Sequence, residues 1–302
     1  LAFSADFYIR DTKDMLTAGI ALPATYGADS PKMNSADLRT KGYELSLNWR
    51  DEFQLLRRPF SYSVTLTFND YVSNITKFDN PDRSFAKKYY EGMRWGEIWG
   101  YRINGLFASD EEARNYPVDQ TTVNEIINAS AGAEKGLRAG DLKFRDVTGD
   151  GKITEADRTM IGNPTPDFTY GYSVNLQYKN FDLGIDFQGV YGNEIFNTSF
   201  LSAYAQYNYH TKRLGRWNGE GTSNWEPILD SSRATQMMNS SYFIEDGSYL
   251  RLKNIQLGYS FGDRILKKIR LKALRVFMNI DNLATWSHNT GYPPEIGGTA
   301  LA

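Results

Sequence analysis

The chain has 302 residues, a net charge of -2 and a pI near 5.9, so its charge gives no reason to expect a nucleic acid or an acidic ligand. Aromatic residues make up 14% (20 Tyr, 17 Phe, 6 Trp) and cysteine is absent, which excludes disulfides and thiolate metal sites. Mean hydropathy is -0.52 and no run approaches the roughly 20 apolar residues of a spanning helix, but a barrel strand needs only alternate apolar positions.

In chain order, period-two alternation marks about seven strands. Leu1, Phe3, Ala5, Phe7 and Ile9 face Ser4, Asp6, Tyr8 and Arg10; Tyr43, Leu45, Leu47 and Trp49 face Glu44, Ser46 and Asn48. Phe60, Tyr62, Val64, Leu66 and Phe68 face Ser61, Ser63, Thr65 and Thr67. The clearest stretch runs from Phe168 to Tyr191, where Phe168, Tyr170, Tyr172, Val174, Leu176 and Tyr178 alternate with small or polar residues. A Lys179-Asn180 turn follows, and Phe181, Leu183, Ile185 and Phe187 then oppose Asp182, Gly184, Asp186 and Gln188. Ile255 to Phe261 and Leu274 to Ile280 complete the set, with a change of phase near Lys253-Asn254 that predicts a bulge or a strand running past a membrane. One face of these strands is rich in rings and the other carries amides, hydroxyls and carboxylates. A strand between lipid and a water-filled lumen has that composition.

The connections are of two kinds. Short ones span Arg50 to Pro59, Lys179-Asn180 and Gly262 to Leu271; long ones span Thr12 to Lys41, Asn69 to Asp167 and Gly192 to Gly247. They alternate, so in an antiparallel meander the short turns fall at one end and the long loops at the other, as in outer-membrane barrels. A soluble β-sandwich or jelly roll also alternates, but accounts less well for the aromatic face and the one-sided loops. The strand pattern present at Leu1 and the Gly-rich stretch before Ala302 lead us to expect a piece of a longer protein.

The longest loop contains Asp146-Val-Thr148-Gly-Asp150-Gly151-Lys152-Ile153-Thr154-Glu155-Ala-Asp157. Counted from Asp146, oxygen-bearing side chains fall at the first, third, fifth, ninth and twelfth positions, with glycine at the sixth, which is the spacing of an EF-hand calcium loop. Calcium takes six to eight hard oxygens, and glycine permits the sharp turn. The expected ligands are Asp146, Thr148, Asp150, the Lys152 carbonyl and Asp157, with Thr154 acting through water, and the ion's role is structural. Asp157 for the usual Glu, and Thr148 for Asp or Asn, predict a modest site. The alternative is an Asp/Gly turn stapled by its own hydrogen bonds.

Two aromatic-rich loop segments are candidate ligand contacts: Tyr89 to Phe107, with Trp95 and Trp99, and Tyr204 to Trp225, with Tyr207, Trp217 and Trp225. Rings stack on sugar faces, although packing of the loops explains the same residues. Residues 110–115 and 123–131 read as helical. His210 and His288 lie apart in loops without a carboxylate partner at metal spacing. Asp182 and Asp186 resemble a glycosidase pair in type, but they sit on the wet face of a strand, as lumen residues do. With Asn175, Gln177 and Gln188 they are candidates for lining a path. No nucleophile triad, P-loop or dinucleotide glycine motif is present, so the chain is not expected to be an enzyme.

The stretch from Phe144 to Gly171, FRDVTGDGKITEADRTMIGNPTPDFTYG, strongly resembles the SusC/RagA family of TonB-dependent outer-membrane transporters of Bacteroidetes. So do Gly189 to Asn197, Glu97 to Phe107, Lys41 to Glu44, Asn279 to Leu283 and Thr290 to Glu295, in family order and from end to end. Asn34-Ser35-Ala36 and Thr40 depart from the family's pattern at one loop-to-strand junction. The resemblance implies an all-β chain, part of a 22-stranded transmembrane barrel with long extracellular loops. The chain would be its C-terminal portion, residues 1–302, with the calcium-type motif in the loop at 69–167, and with plug domain and final strand absent. It also implies TonB-driven import of oligosaccharides across the bacterial outer membrane, in contact with its lipid, with a SusD-like lipoprotein as lid. Peptides are the alternative cargo, and a soluble calcium-dependent glycan-binding or hydrolytic β protein is the alternative from another class.

Overall fold

A computed structural model describes residues 1–18, 27, 31–83, 89–120, 137–197, 211–229, 239–290 and 293–295. The chain forms two compact units: Leu1–Trp95 with Thr165–Asn193 and Gly247–His288, and Gly96–Pro164 with Glu194–Asp246 and Asn289–Ala302.

The first unit is a seven-stranded antiparallel meander. Its strands are β1 (Ala2–Ala18), β2 (Lys32–Leu55), β3 (Arg58–Lys77), β8 (Phe168–Tyr178), β9 (Phe181–Tyr191), β12 (Tyr249–Ser260) and β13 (Arg275–Ser287), in spatial order β1-β2-β3-β8-β9-β12-β13. All seven alternating segments of the sequence are strands, and each pairs with its neighbour in the chain. The phase change near Lys253 is a bulge: Leu252 pairs with Phe187 and Asn254 with Asp186, leaving Lys253 as the extra residue. Arg251 therefore shares a face with Gln188, and Asn254 with Asp186, although their parities differ.

The apolar face is exposed on the edge strands and half-exposed between them: Phe3 is 67% accessible, Phe7 79% and Met278 59%, while Leu45, Val64, Val174 and Ile185 are half-buried. Its rings form two chains across the strands. Phe7, Tyr43, Phe68, Phe168 and Tyr191 follow one another at centroid distances of 4.7 to 6.3 Å. Nearer the hairpins, the second consists of two runs, Phe53, Phe60 and Tyr178, then Phe181, Tyr259 and Phe261, with Tyr178 and Phe181 partners in register. Phe60 and Phe68 lie eight residues apart on β3. At a rise of about 3.3 Å per residue and a tilt near 40°, that is an apolar band about 20 Å tall with aromatic edges. No described helix is long and apolar enough to cross a membrane.

Three expectations need correction. The connection from Thr12 to Lys41 is mostly strand, because β1 continues to Ala18 and β2 begins at Lys32; Asp14, with φ 55°, and register shifts after Thr12 interrupt the alternation that would have revealed it. The Gly262 to Leu271 turn contains a helix, α2 (Asp263–Lys268), which tucks in Leu266. The expected connection from Arg50 to Pro59 likewise shrinks to Leu56-Arg57, both at positive φ (51° and 64°), in the manner of a type I′ turn made without its usual Asn-Gly.

The second unit has short strand pairs: β4 (Ile98–Gly100) with β7 (Thr159–Gly162), β5 (Ile103–Leu106) with β6 (Leu142–Phe144), and β10 (Glu194–Phe196) with β11 (Ile244–Asp246). A core of Tyr101, Leu106, Leu142, Phe144, Ile153, Tyr242 and Phe243 holds them. Buried Gln120 acts as a substitute strand, its amide donating to the Leu142 carbonyl and its oxygen accepting from Phe144 N. The expected helix at 110–115 is α1 (Asp110–Arg114), started by Ser109, whose hydroxyl accepts from Glu112 N. The helix expected at 123–131 lies outside the described residues.

Candidate functional site

The polar face of the meander is the first candidate. Register places Ser4, Ser46, Thr67, Gly171 and Gln188 in one cross-strand row, and Asp6, Glu44, Asn69 and Thr169 in the next. The two rows line a groove of about 390 Å³. Gly171 keeps it open, since a Cβ there would stand 2.6 Å from Thr67 Oγ1. Asp182 and Asp186 are on this face, as expected, but their environments differ. Asp182 reaches across β12 to Arg275 on β13, with Arg275 Nε donating at 3.1 Å and Nη2 at 2.5 Å. The pair passes over Gly258, where a Cβ would meet both side chains at 2.5 Å. Asp186 pairs in register with Asn254, whose Nδ2 donates to Asn279 Oδ1 and Asp281 Oδ1, both at 2.7 Å.

The loop from Asp146 to Asp157 is the second candidate. Ile153, at its eighth position, is fully buried in the core and anchors it; Ile153 N donates to the Asp119 carbonyl, and Asp119 N to that of Gly151. Asp157 is fully buried. Its Oδ1 accepts from Val147 N, Thr148 N and the Thr148 hydroxyl, and its Oδ2 from Thr154 N at 2.8 Å. Asp146 accepts from Gly149 N and Gly151 N, and Asp150 from Lys152 N. The Thr148 hydroxyl lies 3.2 Å from Asp146 Oδ1 and 3.1 Å from Asp157 Oδ1, so three of the expected ligand oxygens meet. Asp150 is turned to the Lys152 amide, and among the described residues no three carboxyl or imidazole groups converge closely enough to hold a metal as they stand. Burial raises the Asp157 pKa, but the Thr154, Thr148 and Val147 amides and the Thr148 hydroxyl outweigh it, and the carboxyl is held below its ordinary value.

The aromatic candidates do not form one platform. Trp95, 41% accessible, stacks on Tyr89 at 5.5 Å and 18° within the first unit. In the second unit, Trp99 Nε1 donates to Glu97 Oε2. Trp217 packs on the core, close enough to Gly140 that a Cβ there would stand 2.7 Å from the indole. Trp225, 44% accessible, leans on Tyr242 at 6.2 Å. Tyr207 and His210 lie outside the described residues, and His288 is exposed on the segment after β13.

Sequence reasoning missed a buried charge network in the second unit. Arg213 Nη1 donates to Glu226 Oε1 at 2.6 Å, and the Tyr242 hydroxyl lies 2.9 Å from both Glu226 oxygens. The Arg213 and Glu226 side chains are 7% and 6% accessible. Lys212 Nζ lies 5.4 Å from the Tyr242 ring centroid and 3.7 Å from Glu245. Glu245 also accepts from the Thr290 amide and hydroxyl and from Asn197 Nδ2. Burial drives the Tyr242 hydroxyl pKa far up, the Arg213 charge opposing it. Burial raises Glu245, while Thr290, Asn197 and Lys212 pull it below the usual carboxylate value. These residues are far apart in sequence with no shared spacing, so no motif could have announced them.

No family model matches the chain. Among curated proteins, TonB-dependent receptor P3 of Formosa agariphila is 31% identical over 310 residues, which cover 98% of this chain and 29% of the relative. TonB-dependent receptor P39 of the same organism is 28% identical over 100% of this chain and 32% of its own length. TonB-dependent receptor SusC of Bacteroides thetaiotaomicron is 26% identical over 96% and 27%. The chain belongs to the SusC/RagA family of TonB-dependent transporters. Among solved structures, the RagAB peptide importer in its open-open state aligns over 98% of this chain and 30% of that one, with a TM-score of 0.69 and 19% identity. The closed-closed state gives the same TM-score at 22% identity. The meander is thus a stretch of the RagA barrel fold, and this SusC/RagA chain spans about a third of the length of the relatives that it matches.

Proposed function

We propose that this chain is the C-terminal portion of a bacterial outer-membrane importer for oligosaccharides, driven by TonB through parts outside this chain and closed by a SusD-like lipoprotein. The observation that carries the reading is the two-faced meander: an exposed apolar face edged by two ring chains, and a face of hydroxyls, amides and carboxylates. Rings at the edges of an apolar band fit the two interfaces of a bilayer, and the polar wall fits a path for a hydrated, hydroxyl-rich cargo. The half-exposed Tyr89–Trp95 stack and Trp225 offer faces on which a sugar ring can lie. Peptide import is the second reading, favoured by the fold shared with the RagAB peptide importer. Calorimetry on the full-length transporter purified with its neighbouring lipoprotein, against panels of oligosaccharides and of peptides, decides between them. Saturable binding of one glycan class supports the first reading and binding of peptides alone the second; a full-length protein monodisperse without detergent removes both.

We propose further that the Asp146–Asp157 loop binds calcium, through Asp146, Thr148, Asp150, the Lys152 carbonyl and Asp157, with Thr154 through water. The EF-hand spacing and the meeting of Asp146, Thr148 and Asp157 oxygens support this. The ion would supply fixed positive charge to two close carboxylates, a structural role. Terbium luminescence that calcium displaces, and that Asp146→Asn abolishes, is the expected result; absence of saturable binding overturns it.

A further inference from the structure

The three short connections carry a charge pattern that import does not use. Arg57 and Arg58 lie at the β2–β3 hairpin, Lys179 at the β8–β9 turn, and Arg264, Lys267, Lys268, Arg270 and Lys272 between β12 and β13. Between the strand ends Asp263 is the single carboxylate, Asp51 and Glu52 lying back on β2, five or more residues before Arg57, whereas the whole chain has 34 Lys and Arg against 36 Asp and Glu. All eight cations are exposed, and among the described residues none is in an ion pair. Exposed apolar side chains are interleaved with them: Leu56 at 83%, Ile265 at 44%, Ile269 at 46% and Leu271 at 48% accessibility. Ile265 and Ile269 are four residues apart, so they project to one side of α2 and its C-terminal end, while Leu266 turns inward.

The place of this rim in the fold says what it meets. Arg58 is on the same face of β3 as Phe60, one pleat repeat or about 7 Å farther along the strand. Lys179 Nζ lies 5.1 Å from the Tyr178 ring centroid. The cations therefore sit just beyond the ring chain that edges the apolar band at the hairpin end. Long basic side chains at that level reach headgroups while their stems and neighbouring aliphatic residues stay in the acyl boundary.

We infer that the hairpin rim is a binding surface for the anionic headgroups of the phospholipid leaflet that it faces. The inference rests on the membrane reading above. Basic clusters of this size at an anionic surface act together and are screened by salt, because their attraction fades within a Debye length of roughly 8 Å at physiological ionic strength.

The test uses the full-length transporter reconstituted in phosphatidylcholine vesicles with phosphatidylglycerol as the minor lipid, then extracted in mild detergent, with retained lipid counted by mass spectrometry. Wild type is expected to keep phosphatidylglycerol in several-fold excess over its share of the bilayer. High salt, and the variant Arg57→Ser/Arg58→Ser/Lys267→Ser/Lys268→Ser, remove the excess, while Arg57→Lys/Arg58→Lys keeps it. Heat-modifiable gel mobility confirms that each barrel is folded. A parallel arm with lipopolysaccharide separates phosphates of the other leaflet: its retention is unchanged by the serine variant. Equal phosphatidylglycerol retention by wild type and serine variant, or loss of lipopolysaccharide instead, overturns the inference alone. Failure of wild type to insert into vesicles overturns the membrane reading and the inference with it.

Discussion

Arg213→Met isolates the buried ion pair of the second unit. The substitution keeps the bulk of the side chain and removes its charge, leaving the Glu226 carboxylate, 6% accessible, with the Tyr242 hydroxyl as the remaining close partner among those described. Breaking a buried pair from one side costs about 3–5 kcal/mol, because the partner's desolvation is no longer offset. Lys212 stacks on the same ring but is engaged with Glu245, so it does not replace the lost guanidinium. At about 1.4 kcal/mol per power of ten, amides that report opening of this unit should lose at least a hundredfold in hydrogen-exchange protection. The Trp217 amide, bonded to the Glu226 carbonyl, and the Phe243 amide, bonded to the Ser240 carbonyl, are the reporters, read in the full-length transporter in detergent. Adding Glu226→Leu removes the orphaned charge but strips Tyr242 of its acceptor, at about 1–3 kcal/mol. Adding Tyr242→Phe as well should recover most of the protection. Protection in the Arg213→Met single variant equal to wild type would refute the reasoning, since it would mean that Glu226 is solvated rather than buried.

Asp157→Asn turns one acceptor oxygen into an N–H donor facing the amides of Val147 and Thr148 or of Thr154, and should loosen the 146–157 loop by about 1.5–3 kcal/mol, seen as proteolytic nicking there. The folded pKa of Asp157 is lowered, so its contribution is fully present above the ordinary value of 3.8 and fades as pH falls below it; exchange protection in this loop, taken relative to the intrinsic rate at each pH, should fall below about pH 4 and stay flat above. Gly258→Val places branched carbons in the path of the Asp182–Arg275 pair, and should lower the unfolding temperature of the barrel, whereas the same change at Gly215, which meets nothing within 4 Å, should not. Leu56→Asn/Arg57→Gly suits the positive φ of both hairpin residues and should slow unfolding of the barrel, by about 1 kcal/mol in the unfolding barrier at most.

The sequence alone determined the seven long strands, their faces and their order in the meander, but not the six short strands of the second unit. A residue in a strand has its side fixed by parity, so Phe168 to Tyr191 could be read as a hairpin with one dry and one wet side before any pairing was known. Parity also exposed the Lys253 bulge, because an extra residue must flip the pattern. The 146–157 turn was legible because the Asp and Gly spacing of a tight loop is local. Beyond these local features, the tertiary structure decided. Asp14 and its register shifts hid the outer ends of β1 and β2, since a break in alternation looks the same as a loop. Asp182 and Arg275 meet only because β9 and β13 flank the same strand and Gly258 leaves room between them. Arg213, Glu226 and Tyr242 meet only because the chain between β9 and β12 folds back on its own core. The basic rim is scattered over 216 residues of sequence, from Arg57 to Lys272, and becomes one surface because the meander brings every short turn to the same end. Local periodicity writes what a strand shows to each side, and long-range pairing alone decides which side chains share a site.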